Sequence, residues 1–103
     1  MTGSEKQIAW AEDIKTAPIK TCTANAARFE AIDAMISARY IKIRSKYEIV
    51  IAQLEKKPGA DKASWWIENR SKLPSVDKIY EMVSTMVFNG IPEDDALKRV
   101  FGF

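Results

Sequence analysis

The chain has 103 residues and a mass of 11.6 kDa, room for one compact helical domain spanning residues 1–103 and little else. At 47% hydrophobic and 29% charged it can bury a core, which sets it apart from disordered and fibrous chains. The absence of histidine, the single cysteine (Cys22) and a net charge of only +2 exclude most metal sites, intrachain disulfides, histidine-based catalysis and indiscriminate nucleic-acid binding.

In chain order, five segments carry helical signals and none alternates as a strand does. The first runs from Ser4 to Lys15. Ser4 can cap it, with Gln7 three residues on completing a capping box. Trp10, Ala11 and Ile14 supply its apolar stripe, and Pro18 is expected to close it. A linker over 19–23 follows, with Thr23 or Asn25 as the next cap.

From Ala24 to Lys57 there is no glycine and no proline, and Pro58-Gly59 ends the run. Apolar residues fall at Phe29, Ile32, Ile36, Tyr40, Ile43, Tyr47, Val50 and Leu54. At about 100° per residue these eight lie within about 40° of one line, a heptad-like seam. The spacing predicts one long central helix over 24–57, roughly 50 Å in length, with Ser37 and Ser45 as its weak points.

Beyond the turn, Asp61 is the expected cap of a short helix reaching about Asn69 and containing Trp65, Trp66 and Ile67. Leu73-Pro74-Ser75 is the next break, with Ser75 as a cap. Val76, Ile79, Tyr80, Val83, Met86 and Val87 then define an amphipathic helix that ends at Asn89-Gly90. Pro92 suits the first turn of a last helix. There Glu93, Asp94 and Asp95 favour the positive end of the helix dipole, and Lys98 and Arg99 the negative end. The expected fold is all-α, a small bundle of about five helices with the long helix as its spine. A 50 Å helix cannot be wrapped by so short a chain unless the later helices run back along it, so any uncovered seam would dock on a second copy or another protein.

No stretch approaches the roughly 18 residues of unbroken apolar sequence that a membrane span requires. Residues 1–7 lack the basic and apolar regions of a secretory signal. A cytoplasmic protein with a reduced thiol is the expectation, Cys22 serving as a small buried filler. Chemistry is narrowed further. The only carboxylate cluster, Glu93 to Asp95, is accounted for by the helix dipole, and there is no phosphate-cradling glycine loop, nucleophile elbow or calcium loop. No enzyme activity, cofactor or metal is expected.

Two constellations suggest binding instead. Residues 39–57 hold six basic and two acidic side chains, so one segment carries more positive charge than the whole chain. On a single helix Arg28, Arg39, Lys42, Lys46 and Lys57 would share one flank, extending over roughly 43 Å. Glu30, Asp33, Glu48 and Glu55 would share the other, with Arg44 placed to pair with Glu48. The plain account is two solvated helix sides; the sharper one is a basic row that tracks phosphates or an acidic protein surface. The second constellation is Trp65-Trp66. Neighbouring tryptophans point about 100° apart on a helix. Either one fills the core beside Trp10 while the other shields the Pro58-Gly59 turn, or Trp66, with Arg70 at i+4, forms a cation-π anchor for a partner.

The opening Thr2-Gly3-Ser4-Glu5-Lys6-Gln7-Ile8-Ala9-Trp10-Ala11-Glu12-Asp13-Ile14 resembles that of uncharacterised small helical proteins of phages and mobile elements, and Trp65-Trp66-Ile67-Glu68-Asn69-Arg70 resembles an element that accompanies it. Together these cover about a fifth of the chain and bring no activity with them; the basic segment between them has no counterpart. The resemblance implies a non-catalytic protein that engages a host protein or nucleoprotein complex, an anti-CRISPR-like inhibitor being the most concrete form. The alternatives are an accessory nucleic-acid-binding protein using Arg39, Lys42, Lys46 and Lys57, and a homo-oligomer joined through the seam. The candidate partner-binding residues are Arg28, Arg39, Lys42, Lys46, Lys57, Trp66 and Arg70.

Overall fold

In the computed structural model, which describes residues 1–101, Ser4 opens the first helix through the expected capping box. Its hydroxyl accepts from the Gln7 backbone N–H, and the Gln7 side chain accepts from the Ser4 N–H. The helix does not stop at Pro18. Helix α1 runs Glu5–Phe29, straight through the proline and the expected linker. Two features carry it. Proline has no N–H to give the carbonyl of Ile14 four residues earlier, and that carbonyl is taken instead by the hydroxyl of Tyr47 at 2.8 Å. Beyond it, Thr23 and Asn25 turn their side chains back onto the carbonyls of Ile19 and Thr21, while Cys22 and Ala26 face the core.

The single long helix expected over 24–57 is two helices. Residues 24–29 finish α1, the chain turns over 30–33, and α2 runs Ala34–Glu55 antiparallel to α1. The break falls at neither Ser37 nor Ser45. Asp33 makes it: with extended backbone, its carboxylate accepts from the N–H groups of Met35 and Ile36 and starts a new helix. Folding back lets the seam be covered from within the chain. Tyr40, Ile43 and Tyr47 are buried, and Phe29, Ile36, Val50 and Leu54 are half-buried. Ser37 pins the hairpin by donating to the Ala26 carbonyl at 2.7 Å.

Helix α3 (Ala63–Glu68) is capped by neither the Asp61 nor the Lys62 side chain. The Asp61 carbonyl is occupied by the N–H of Thr2, and the Thr2 carbonyl accepts from Ala63, so the N-terminal segment is clipped to the start of α3. A 3-10 turn over Arg70–Lys72 leads to α4 (Val76–Phe88), capped by Ser75 as expected, and α4 ends at Asn89 before Gly90 in the left-handed region (φ +64°). Helix α5 (Glu93–Phe101) closes the described chain. The all-α bundle of five helices stands, but its spine is the α1–α2 hairpin.

Two apolar cores flank that hairpin. One gathers Cys22, Ala26, Tyr40 and Ile43 with Ile79, Met82, Val83 and Met86 of α4 and Leu97 of α5. The other places Trp66 against Ala11, Tyr47, Ile51, Ala63 and Leu73. No helix among the described residues is long and apolar enough to cross a membrane.

Candidate functional site

The break at 30–33 dismantles the expected basic row. Arg28 now lies on α1 with its guanidinium over the Phe29 ring, and Lys57 lies beyond the end of α2. Arg39 and Lys46 are half-buried, and Lys46 is engaged within the fold. Lys42 stays exposed but is claimed by α5, its ammonium 3.3 Å from Asp94 and 3.7 Å from Glu93. The hydrogen bond it donates to Asp94, then the charge of Glu93, hold it above the ordinary lysine value. The acidic first turn of α5 therefore serves its own dipole and also neutralises the middle of the predicted row. On the opposite flank the expected Arg44–Glu48 pair forms at 3.8 Å, and Glu55 reaches Lys15 at 3.0 Å.

Trp65 and Trp66 divide as the plain account has it, but Trp10 does not join the core beside them. Trp66 is 1% exposed, its Nε1–H donating to the Ala60 carbonyl at 2.8 Å, so it is core and not a surface anchor. Trp65 meets it edge-on and covers the turn at Gly59. With φ at +88° and the Trp65 ring 3.1 Å from where a β-carbon would sit, Gly59 is there for both backbone and space. The exposed tryptophan is Trp10, at 49%, and Arg70 stacks on it at 5.4 Å instead of on Trp66. Helix spacing favoured Arg70 against Trp66; the seating of α3 on α1 decided otherwise.

Around Arg70 the structure assembles a surface that no single helix encodes. Two hollows flank the Leu73-Pro74-Ser75 segment and share Arg70. One, of about 330 Å3, is lined by Trp10, Ile14, Ala17 and Pro18 of α1, with Asp13 its one carboxylate. The other, of about 540 Å3, is lined by Arg70, Lys72, Lys78 and Arg99 together with Ser71, Ser75 and Val100, and among the described residues no carboxylate lines it. Lys72 sits 5.9 Å from the Trp65 ring, and Lys78 pairs with Glu81 at 3.3 Å outside the hollow. Arg99 has no ion-pair partner among the described residues. Lys72, Lys78 and Arg99 escaped the sequence reading because they come from a 3-10 turn, the start of α4 and the end of α5. Their only sequence signal was position beside helix ends.

Cys22 is a core residue. Burial pushes its thiol up from the ordinary 9.0 to about 11, with Arg44 pulling it partly back. A raised folded-state pKa on an acid means that the stabilisation is fully present below about pH 9 and is lost as pH climbs towards 11. Urea midpoints measured across that range should fall. The part of the fall below about pH 9.5, where unfolded tyrosines with an ordinary value of 10.0 are still mostly protonated, should largely vanish in Cys22→Ala. Native Cys22 should also alkylate at pH 8 no faster than the protein unfolds.

Among the described residues no three carboxylate or thiol side chains converge to hold a metal ion. What fold and surface define is a small all-α bundle with one cationic, tryptophan-edged face. No protein-family model matches the chain, and no curated protein and no solved structure is significantly similar to it.

Proposed function

We propose that this chain is a non-catalytic binding protein of phage or mobile-element type that engages a host nucleoprotein complex, with an anti-CRISPR-like inhibitor as the most concrete form. The observation that carries the reading is the position of Arg70, between the exposed ring of Trp10 and a hollow walled by three further cations. Arginine and tryptophan are the side chains that dominate interface energetics, and a hollow whose charged lining among the described residues is all cationic suits a polyanionic surface. The resemblance of 2–14 and 65–70 to phage and mobile-element proteins supports the same reading. Those two segments carry Trp10 and Arg70, the pair at the centre of the face.

Tagged protein incubated with an extract of a plausible host, with and without nuclease, tests it. A defined complex should be recovered and should be lost with Arg70→Glu, a change at an exposed position; a thermal melt of the variant checks the fold, since Arg70 also donates to the Ile67 carbonyl. Recovery of nothing, or of a complex indifferent to Arg70→Glu, would remove the proposal.

A second reading, a structural homo-oligomer, is favoured by a different surface. Helix α4 starts beside Pro18 and passes Asn25, where the Tyr80 hydroxyl accepts a hydrogen bond, so it advances in the same direction as α1. Its last residues thus lie towards the end of the bundle that holds the 30–33 turn. Phe88 there is 84% exposed, and Val87, Ile32 and Met35 are exposed as well. The seam of α2, by contrast, is used within the chain, so an oligomer would form through this apolar end. Sedimentation of the wild type and of Phe88→Asp decides between monomer and oligomer.

A further inference from the structure

We propose that the Arg70 face binds single-stranded nucleic acid, with phosphates held by Arg70, Lys72, Lys78 and Arg99 and an unpaired base stacked on Trp10. This rests on the reading of that face as the surface that meets a nucleoprotein complex, and it names the component met. The argument begins with the two hollows. The one walled by four basic side chains has no lining carboxylate among the described residues, in a chain whose total charge is only +2, so positive charge is concentrated there. Helix α4 opens at its rim, where Asp77 in the first turn offsets the positive end of the helix, so the charge of the hollow rests on the four side chains. The neighbouring hollow is lined by apolar Ile14, Ala17 and Pro18 together with the half-exposed Trp10, and by Asp13.

That pairing distinguishes single strands from duplexes. A duplex presents phosphates but hides the faces of its bases, so it could use the cations and would leave Trp10 idle. A single strand offers both in succession, and an aromatic platform beside a cationic groove is the general solution for binding it. Arg70 fits either partner of that alternation: its guanidinium lies 5.4 Å from the Trp10 ring, so an incoming base stacks on the indole in its place while Arg70 turns to the cationic hollow that it also lines. An acidic peptide would satisfy the cations but would gain nothing from a flat indole, which makes it the weaker occupant.

The test uses the intact chain with four probes: a ten-nucleotide oligo(dT), an RNA decamer, a duplex of the same length and a deca-glutamate peptide, followed by anisotropy at 50 and 200 mM salt. The single strands should bind at least tenfold more tightly than the duplex and the peptide. Three or four phosphate contacts should weaken that binding about 20- to 50-fold between the two salt concentrations. The double change Lys78→Glu with Arg99→Glu should reduce affinity at least tenfold and flatten the salt dependence. Trp10→Ala should reduce affinity roughly tenfold and leave the salt dependence unaltered, a separation that general loss of structure would not give; thermal melts of each variant check the fold. Absence of binding at 50 mM salt, duplex affinity equal to that of single strands with Trp10→Ala silent, or equal affinity for deca-glutamate would each overturn the proposal. If a host complex is still captured in an Arg70-dependent way while no oligonucleotide binds, this inference fails and the proposed function survives. If oligonucleotides bind and no complex is captured, the reverse holds.

Discussion

Trp66→Ala is expected to destabilise the fold by about 3–5 kcal/mol, enough to consume a large share of the roughly 5–15 kcal/mol that holds a chain of this size folded. The ring is the largest fully buried side chain and the centre of the core formed by Ala11, Tyr47, Ile51, Ala63 and Leu73. Its neighbours include three alanines from three segments, α1, the 56–62 turn and α3, none of which can swing into the space left behind. Two further losses add to the cavity. The buried Ala60 carbonyl loses its only named donor, and the ammonium of Lys15, 4.9 Å above the ring, loses its cation-π partner while keeping Glu55. Urea unfolding should show a lower midpoint at unchanged slope. Trp66→Phe should recover most of the packing and still cost about 1–3 kcal/mol for the orphaned carbonyl. Trp65→Ala, removing a half-buried ring, should cost clearly less than Trp66→Ala. A loss below about 1 kcal/mol in Trp66→Ala would mean that this core does not hold the molecule together.

The contrast between Trp65 and Trp66 shows what the sequence could and could not convey. Their spacing required one of the pair to leave the core, and the Pro58-Gly59 turn offered it cover; which one left depended on how α3 seats on α1. Local signals read well wherever a side chain acts on its own backbone. The Ser4–Gln7 box, the Ser75 cap, the end of α4 at Asn89-Gly90 and the acidic start of α5 are all of this kind. Signals failed where a distant group decided the outcome, or where a local cap such as Asp33 stood inside a run that otherwise read as continuous. The absence of glycine and proline from 24–57 argued for continuity, but Asp33 supplied a cap and the α1–α2 hairpin supplied the burial that a straight helix would have lacked. The basic row failed for the same reason, since it assumed continuity through Asp33 and could not anticipate that Glu93 and Asp94 would reach Lys42. Of the candidate binding residues Arg70 stands at the centre of the observed face, Trp66 is in the core, and the cations that join Arg70 converge only after three chain reversals.

Pro18 is the sharpest case of a local rule overridden from a distance, and Tyr47→Ala is the second change expected to cost about 3–5 kcal/mol. Tyr47 is fully buried on α2, and its hydroxyl donates to the carbonyl of Ile14, the acceptor that Pro18 leaves without its usual helical donor. Burial, with a smaller contribution from Cys22, raises the phenol above its ordinary value of 10.0, so it remains a donor at every pH at which the protein is folded near neutrality. Removing the ring therefore opens a cavity and strands a carbonyl in the middle of α1. The two effects separate experimentally. Tyr47→Phe keeps the packing and should cost about 1–3 kcal/mol for the stranded carbonyl alone. Pro18→Ala restores a backbone N–H within reach of that carbonyl, so the same Tyr47→Phe change should cost about 1 kcal/mol less in the Pro18→Ala background. A coupling near zero in that double-mutant cycle would show that the proline and the tyrosine are merely neighbours. A positive coupling means that the residue expected to end the first helix is what gives α1 and α2 their one side-chain-to-backbone bond at mid-length, fixing the hairpin on which Trp10 and Arg70 are presented.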